Sequence, residues 1–228
     1  MAQHLVNTDA AADFLSLAMT DVGPVAFLGD AEAFESGVAA DIQMANIALR
    51  DGASKVVALT KDETRTEVAR HAVAEKVANS VIGQLTKTKA AIEAKAESLG
   101  YLGQAQASAL FSPKDGRAAL DGEIRSWIRE SMKTADGISE VMAAARSDGN
   151  VAAVIYHSPR FLLGLSNETH ASLKFDAIKR FAPEAYAHIE NSGKLFDLAP
   201  RYDRVMQKVR MNFYNQTLAD KAKLRVEV

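Results

Sequence analysis

Apolar positions recur at helical spacing along nearly the whole chain, which predicts an all-α fold. A first helix is expected from Asn7 or Thr8, with Phe14, Leu15 and Ala18 on its inner face. The stretch 21–30, with Gly23, Pro24 and Gly29, then breaks the pattern. A second helix is expected from an Asp30 cap to about Arg50, carrying Phe34, Val38, Ile42 and Ala45, with Gly52 as its stop. Residues 54–60 are apolar and β-branched enough for a strand but face no strong partner strand, so they are expected as extended linker.

The dominant feature is a long central helix at 61–99, with Glu63 and Glu67 in its first turns and Gly100 as its end. Val77, Val81, Leu85, Thr88, Ile92, Ala96 and Leu99 follow one another at steps of four, four, three, four, four and three. This is an 11-residue period, the mark of a straight or slightly right-handed seam. At 1.5 Å per residue such a helix is roughly 60 Å long, more than a compact domain of this size spans. Part of this helix is therefore expected to project or to pack on a neighbouring subunit, with Val77, Val81, Leu85 and Ile92 as the contact candidates.

Beyond it, Ser112, Pro113 and Asp115 form a helix-start signal, followed by the stripe Leu120, Ile124, Trp127 and Ile128. A further helix from about Thr134 carries Ile138, Val141, Met142 and Ala145 and stops at 147–150. Pro159, Pro183 and Pro200 each read as the first residue of a new helix, the last opening one helix over 200–224. That helix turns Tyr202, Val205, Val209 and Phe213 inward and Arg201, Arg204, Lys208, Asn212 and Asn215 outward. The chain thus divides into an acidic N-terminal helical segment (1–60), a long helix and linker (61–111), and a C-terminal helical domain (113–228) of short helices and one long one.

Charge adds polarity. The net formal charge is −2 over 228 residues, yet residues 1–60 carry eight acids and two bases, whereas 194–228 carry eight bases and four acids. Such a distribution suits head-to-tail self-association or contact of the two ends within one subunit. Cysteine is absent, which excludes disulfides, thiolate metal sites, iron–sulfur clusters and cysteine nucleophiles. The N-terminal stretch has Asp9 and Asp13 and no basic region, so no secretion signal is expected, and no apolar run is long enough to span a membrane.

Motifs with chemistry are few. Phosphate-loop, dinucleotide, nucleophile-elbow and HExxH patterns do not occur. Glu67 with His71 and Glu184 with His188 are four apart, a spacing that can turn two ligands toward one metal but is commoner in ordinary helix surface pairs. His157 and His170, beside Ser158 and Arg160, are the strongest candidates for a catalytic cluster, against a plainer role as punctuation between short helices. Asn167 and Asn215 open glycosylation sequons, which matter only in a secreted chain. Arg201, Arg204, Lys208 and Arg210, with Tyr202 and Tyr214 nearby, could follow a nucleic-acid backbone, although Asp203 interrupts the stripe and the isoelectric point is about 6.2. No catalytic residue, metal ligand or cofactor is assigned.

Residues 154–190 resemble a pattern in uncharacterised helical proteins of tailed bacteriophages and prophages. Pro159, Phe161, Leu162, Gly164, Leu165, Asn167, Pro183 and Glu184 carry the resemblance. It covers about a fifth of the chain and implies a structural or head-associated role, located in the virion or the host cytoplasm. The partners it implies are other copies of the chain and other phage structural proteins. A non-enzymatic assembly protein is the leading expectation, with a nucleic-acid-associated protein and an enzyme centred on His157 and His170 behind it.

Overall fold

A computed structural model describes residues 4–224, and every regular element among them is helical. In chain order these are α1 (Asp9–Ala18), α2 (Val22–Leu28), a 3-10 turn (Ala31–Ala33), α3 (Ser36–Thr60), α4 (Glu67–Leu110), α5 (Ala118–Ser131) and α6 (Ala135–Ser147). They are followed by α7 (Gly149–His157), α8 (Arg160–Leu163), α9 (Asn167–Phe181), α10 (Pro183–Phe213) and α11 (Gln216–Lys223). The all-α class, the long central helix, the cluster of short helices and the long C-terminal helix are all present.

Contacts in space group the chain into two compact units, and not along the sequential division into 1–60, 61–111 and 113–228. One unit contains residues up to Ala96 together with those from Lys194 onward; the other is Glu97–Gly193. Helices α4 and α10 each contribute a part to both.

In the first unit, α1 starts as expected: Thr8 Oγ1 accepts from the Ala11 N–H at 3.1 Å, and Phe14, Leu15 and Ala18 are buried. Residues 22–28 are helical, and α3 runs through both Gly52 and the stretch expected as linker. The correction has a packing cause. Val38, Ile42, Ala45, Leu49, Ala53 and Val56 form one buried helical stripe, so 54–60 extends the same face. Gly52 is a point of close approach, since a Cβ there would lie 2.4 Å from Val81 Cγ2 and 3.4 Å from the Phe213 ring. The long helix begins at Glu67 and not at 61, because the Asp62 carboxylate holds a turn by accepting from the Thr64 N–H and hydroxyl and pairing with Arg65.

Helix α10 also runs through its expected start at Pro200. The proline removes one bond, to the Phe196 carbonyl, but Leu195, Leu198, Ala199, Tyr202, Val205, Val209 and Phe213 are buried on either side of it. The expected helix over 200–224 is instead interrupted after Phe213. There Asn215 caps α11 by accepting from the Leu218 N–H, while its own N–H donates to His71 Nδ1 at 3.0 Å.

His71 is 1% exposed, and burial lowers its pKa from the ordinary value of 6.5, against the raising effect of Glu67 and with a smaller lowering by Arg70. The unfolded chain therefore takes up the proton first. Stability from the neutral ring is complete above pH ~6.5 and declines as pH falls from there toward the folded value, by at most about 1.4 kcal/mol per pH unit. Melting between about pH 8 and pH 5 is expected to show this decline in the native chain and a flatter profile in His71→Gln.

The second unit packs short helices around α7. Ile128, Val141, Ala145, Val154, Ile155, Leu163, Leu165 and Leu173 cluster on one side. Ala107, Phe111, Ala152, Ala177, Ile178 and Ala185 form another cluster. Helix α4 passes Gly100 and ends at Leu110, because Gly100 and Gly103 lie against α10. A Cβ on Gly103 would stand 2.7 Å from the Ala185 carbonyl oxygen. Ser112 and Pro113 do not start α5. The Ser112 hydroxyl donates to the Ala109 carbonyl at 2.9 Å, and α5 begins at Ala118 after Gly116 turns the chain with φ 76°. Thr134, Asp148 and Ser166 cap α6, α7 and α9 by accepting backbone N–H bonds.

Candidate functional site

The seam of α4 is not a free surface. Val81, Leu85 and Ile92 are at most 4% exposed inside the first unit, so the expected contact with a neighbouring subunit through them is corrected: they belong to the chain's own core. Thr88, the one polar member, is fully buried because its hydroxyl donates to the Asp41 carbonyl at 3.1 Å and accepts from Gln84. Val77 alone remains half-buried, on the rim of a groove of about 540 Å³ between α3 and α4.

The basic residues of α10 divide between two sides. Arg201, Arg204 and Lys208, spaced three and four apart, share one exposed face, whereas Arg210 lies half a turn away from Arg201. Together with Ala26, Phe27 and Val205 the three line a groove of about 350 Å³. Lys208 Nζ stands 5.1 Å from the Phe27 ring centroid and 5.9 Å from that of Phe14. Asp203, which stands between Arg201 and Arg204 in the sequence, points its carboxylate to Lys89 Nζ at 2.8 and 3.0 Å. That bond raises the lysine pKa, and on the face of the three cations the exposed Asp197 stands one turn before Arg201.

The two histidines of 150–175 have separate roles. His170 Nε2 lies 2.9 Å from the Ile155 carbonyl, a contact that ties α9 to α7. His157 ends α7 with Nε2 3.8 Å from Asp121 Oδ2, and its Nδ1 is buried with no hydrogen-bond partner among the described residues. Between the two, the corner at α8 divides its apolar residues. Leu163 and Leu165 are buried, whereas Phe161 is 71% and Leu162 37% exposed. Gly164, with φ 70°, reverses the chain between them, a conformation that favours glycine.

His157 and Asp121 also line a pocket of about 260 Å³ that lies wholly within the second unit. Its walls include Phe111 and Phe181, with Lys114 and Arg117 at the α4–α5 connection and Gly149 and Asn150 at the start of α7. Sequence reasoning passed over Asp121 and placed Leu120 on the inner stripe of α5. The structure reverses the two: Leu120 is 47% exposed and Asp121 8%. A signal was present, since Asp121 precedes Ile124 by three and Ile128 by seven and so falls on the same face. The other pocket residues come from α4, α7, α9 and the turn before α5; Gly149, Ala153 and His157 are spaced by four along α7, but no spacing links one element to the next. His71, expected as a possible metal partner of Glu67, instead accepts the Asn215 N–H at its Nδ1.

Comparison with protein-family models, with curated proteins and with solved structures finds no match for this chain.

Proposed function

We propose that this chain is a non-enzymatic assembly component of a tailed-bacteriophage particle, joining copies of itself or other particle proteins through the corner at α8. The observation that carries this is the exposure of Phe161 beside Leu162 on a backbone held by the buried Leu163 and Leu165 and by the left-handed Gly164. Burying such a ring is worth about 1.5–3 kcal/mol, and a ring held on a rigid corner loses little further freedom on docking. The sequence resemblance to phage and prophage proteins falls on the same stretch. The test is light scattering after gel filtration over a range of concentrations. The native chain is expected to associate as concentration rises, and Phe161→Glu to remain monomeric with an unchanged melting curve. Equal association in both removes the corner from the interface, and a strict monomer at high concentration removes self-association.

A second function, contact with a polyanion backbone, is favoured by the spacing of three and four that sets Arg201, Arg204 and Lys208 together along one groove. Three phosphate contacts would give a slope of log affinity against log salt of roughly −2.7 on duplex DNA. Replacing Arg201 and Arg204 with glutamine is expected to flatten it by about two-thirds. Retention on DNA that is indifferent to salt overturns this function.

A further inference from the structure

We infer that the pocket at His157 and Asp121 binds a small organic anion with an apolar, ring-sized body. Three features point to that class. The first is the balance of charge on the walls. Lys114 and Arg117 have no ion-pair partner among the described residues, while the lining carboxylate, Asp121, already faces His157 Nε2 at 3.8 Å. The wall is therefore cationic toward a ligand. The second is the start of α7 in the same wall. Gly149 is its first residue, and although the Asp148 carboxylate takes the Asn150 N–H at 2.7 Å, the positive end of a nine-residue helix dipole lies on this side of the pocket. The third is the apolar surface of Leu110, Phe111, Ala153 and Phe181, which suits a hydrocarbon body and not a bare inorganic ion.

Size narrows the class further. A volume of about 260 Å³ lies just below the usual range of roughly 300–1,000 Å³ for small-molecule pockets, so one ring with one acidic head is the scale of the ligand. The anionic head belongs at Lys114 and Arg117, and the ring against Phe111 and Phe181. Asp121, 8% exposed and 3.8 Å from the imidazole, disfavours an acidic group at that end, which orients the ligand. Because pocket and corner are different surfaces, this site stands whether or not α8 joins subunits.

The test titrates the full chain with benzoate, phenyl phosphate and the neutral benzyl alcohol, observed by backbone amide and histidine-ring NMR. Both anions are expected to shift the Gly149 and Asn150 amides and the His157 ring, and to bind about tenfold or more tighter than benzyl alcohol. The tighter of the two tells a carboxylate site from a phosphate-ester site. Lys114→Gln with Arg117→Gln, both at the pocket mouth, should remove that advantage while leaving the amide spectrum folded. Ala153→Leu, which fills the pocket from α7, should abolish the shifts for all three probes. Equal affinity for benzoate and benzyl alcohol, unchanged anion affinity in the double variant, or shifts confined to residues outside the pocket overturns the inference.

Discussion

Leu85→Ala is expected to lower the unfolding free energy by roughly 2–5 kcal/mol, by an amount that does not depend on protein concentration. Leu85 is fully buried on α4, among the buried Val81, Thr88 and Ile92 of the same seam. Truncation removes three carbons from a packed interior whose helices cannot all close around the gap, so a cavity cost adds to the lost transfer free energy. At about 2–4 °C per kcal/mol for a chain of this length, the melting midpoint should fall by several degrees. Concentration decides where the seam packs. A contact within the chain gives the same loss at every dilution, whereas one between subunits gives a midpoint that falls on dilution. Val77→Ala, at the half-buried rim of the same stripe, is the control and should cost well under half as much.

Gly103→Ala and Gly83→Ala are expected to move stability in opposite directions, although both place alanine for glycine inside α4. At Gly83 a Cβ meets nothing within 4 Å, so the substitution gains helix propensity alone, about 1 kcal/mol. At Gly103 the same atom would lie 2.7 Å from the Ala185 carbonyl oxygen, 2.7 Å from Ile189 Cγ1 and 3.2 Å from His188 Cβ. A backbone carbonyl cannot rotate away as a side chain can. Helices α4 and α10 must separate locally, with an overpacking cost of about 1–3 kcal/mol in addition to any lost burial. Thermal melts of the two variants should lie on either side of the native curve. If both rise, α10 does not pass close to Gly103.

These two glycines also show why helix boundaries were harder to read than helices. Glycine after a run of apolar positions is the ordinary sign of a helix end. At Gly52, Gly100 and Gly103 the residue is small because another helix or side chain lies against it. One sequence feature has two physical causes, and only the neighbour in space distinguishes them. Pro200 is a similar case: its local preference is to start a helix, but buried residues on both sides hold α10 continuous through it. Where the deciding interaction is local, the sequence was a good guide. Thr8, Thr134 and Ser166 cap the helices they precede, because a cap needs only a hydroxyl within three residues of a free N–H.

The candidate site follows the same division. That Phe161 to Leu165 form a turn between helices is written in Pro159, Gly164 and Ser166, yet which two of the four apolar residues face solvent depends on the packing of Leu163 and Leu165 into the core. The sequence shows that Arg201, Arg204 and Lys208 share a face and that Asp203 points away from it, but the partner that holds the Asp203 carboxylate is Lys89, more than a hundred residues earlier. The pocket at His157 was the least legible, since its walls come from α4, α5, α7, α9 and the turn before α5. Local periodicity and capping, which act over one or two turns, thus determined the helical class, the caps at Thr8, Thr134 and Ser166, and the amphipathic faces apart from that of α5. Helix ends at close crossings, the burial of the α4 seam and the assembly of the pocket depend on contacts between distant residues, which no short-range pattern in the chain encodes.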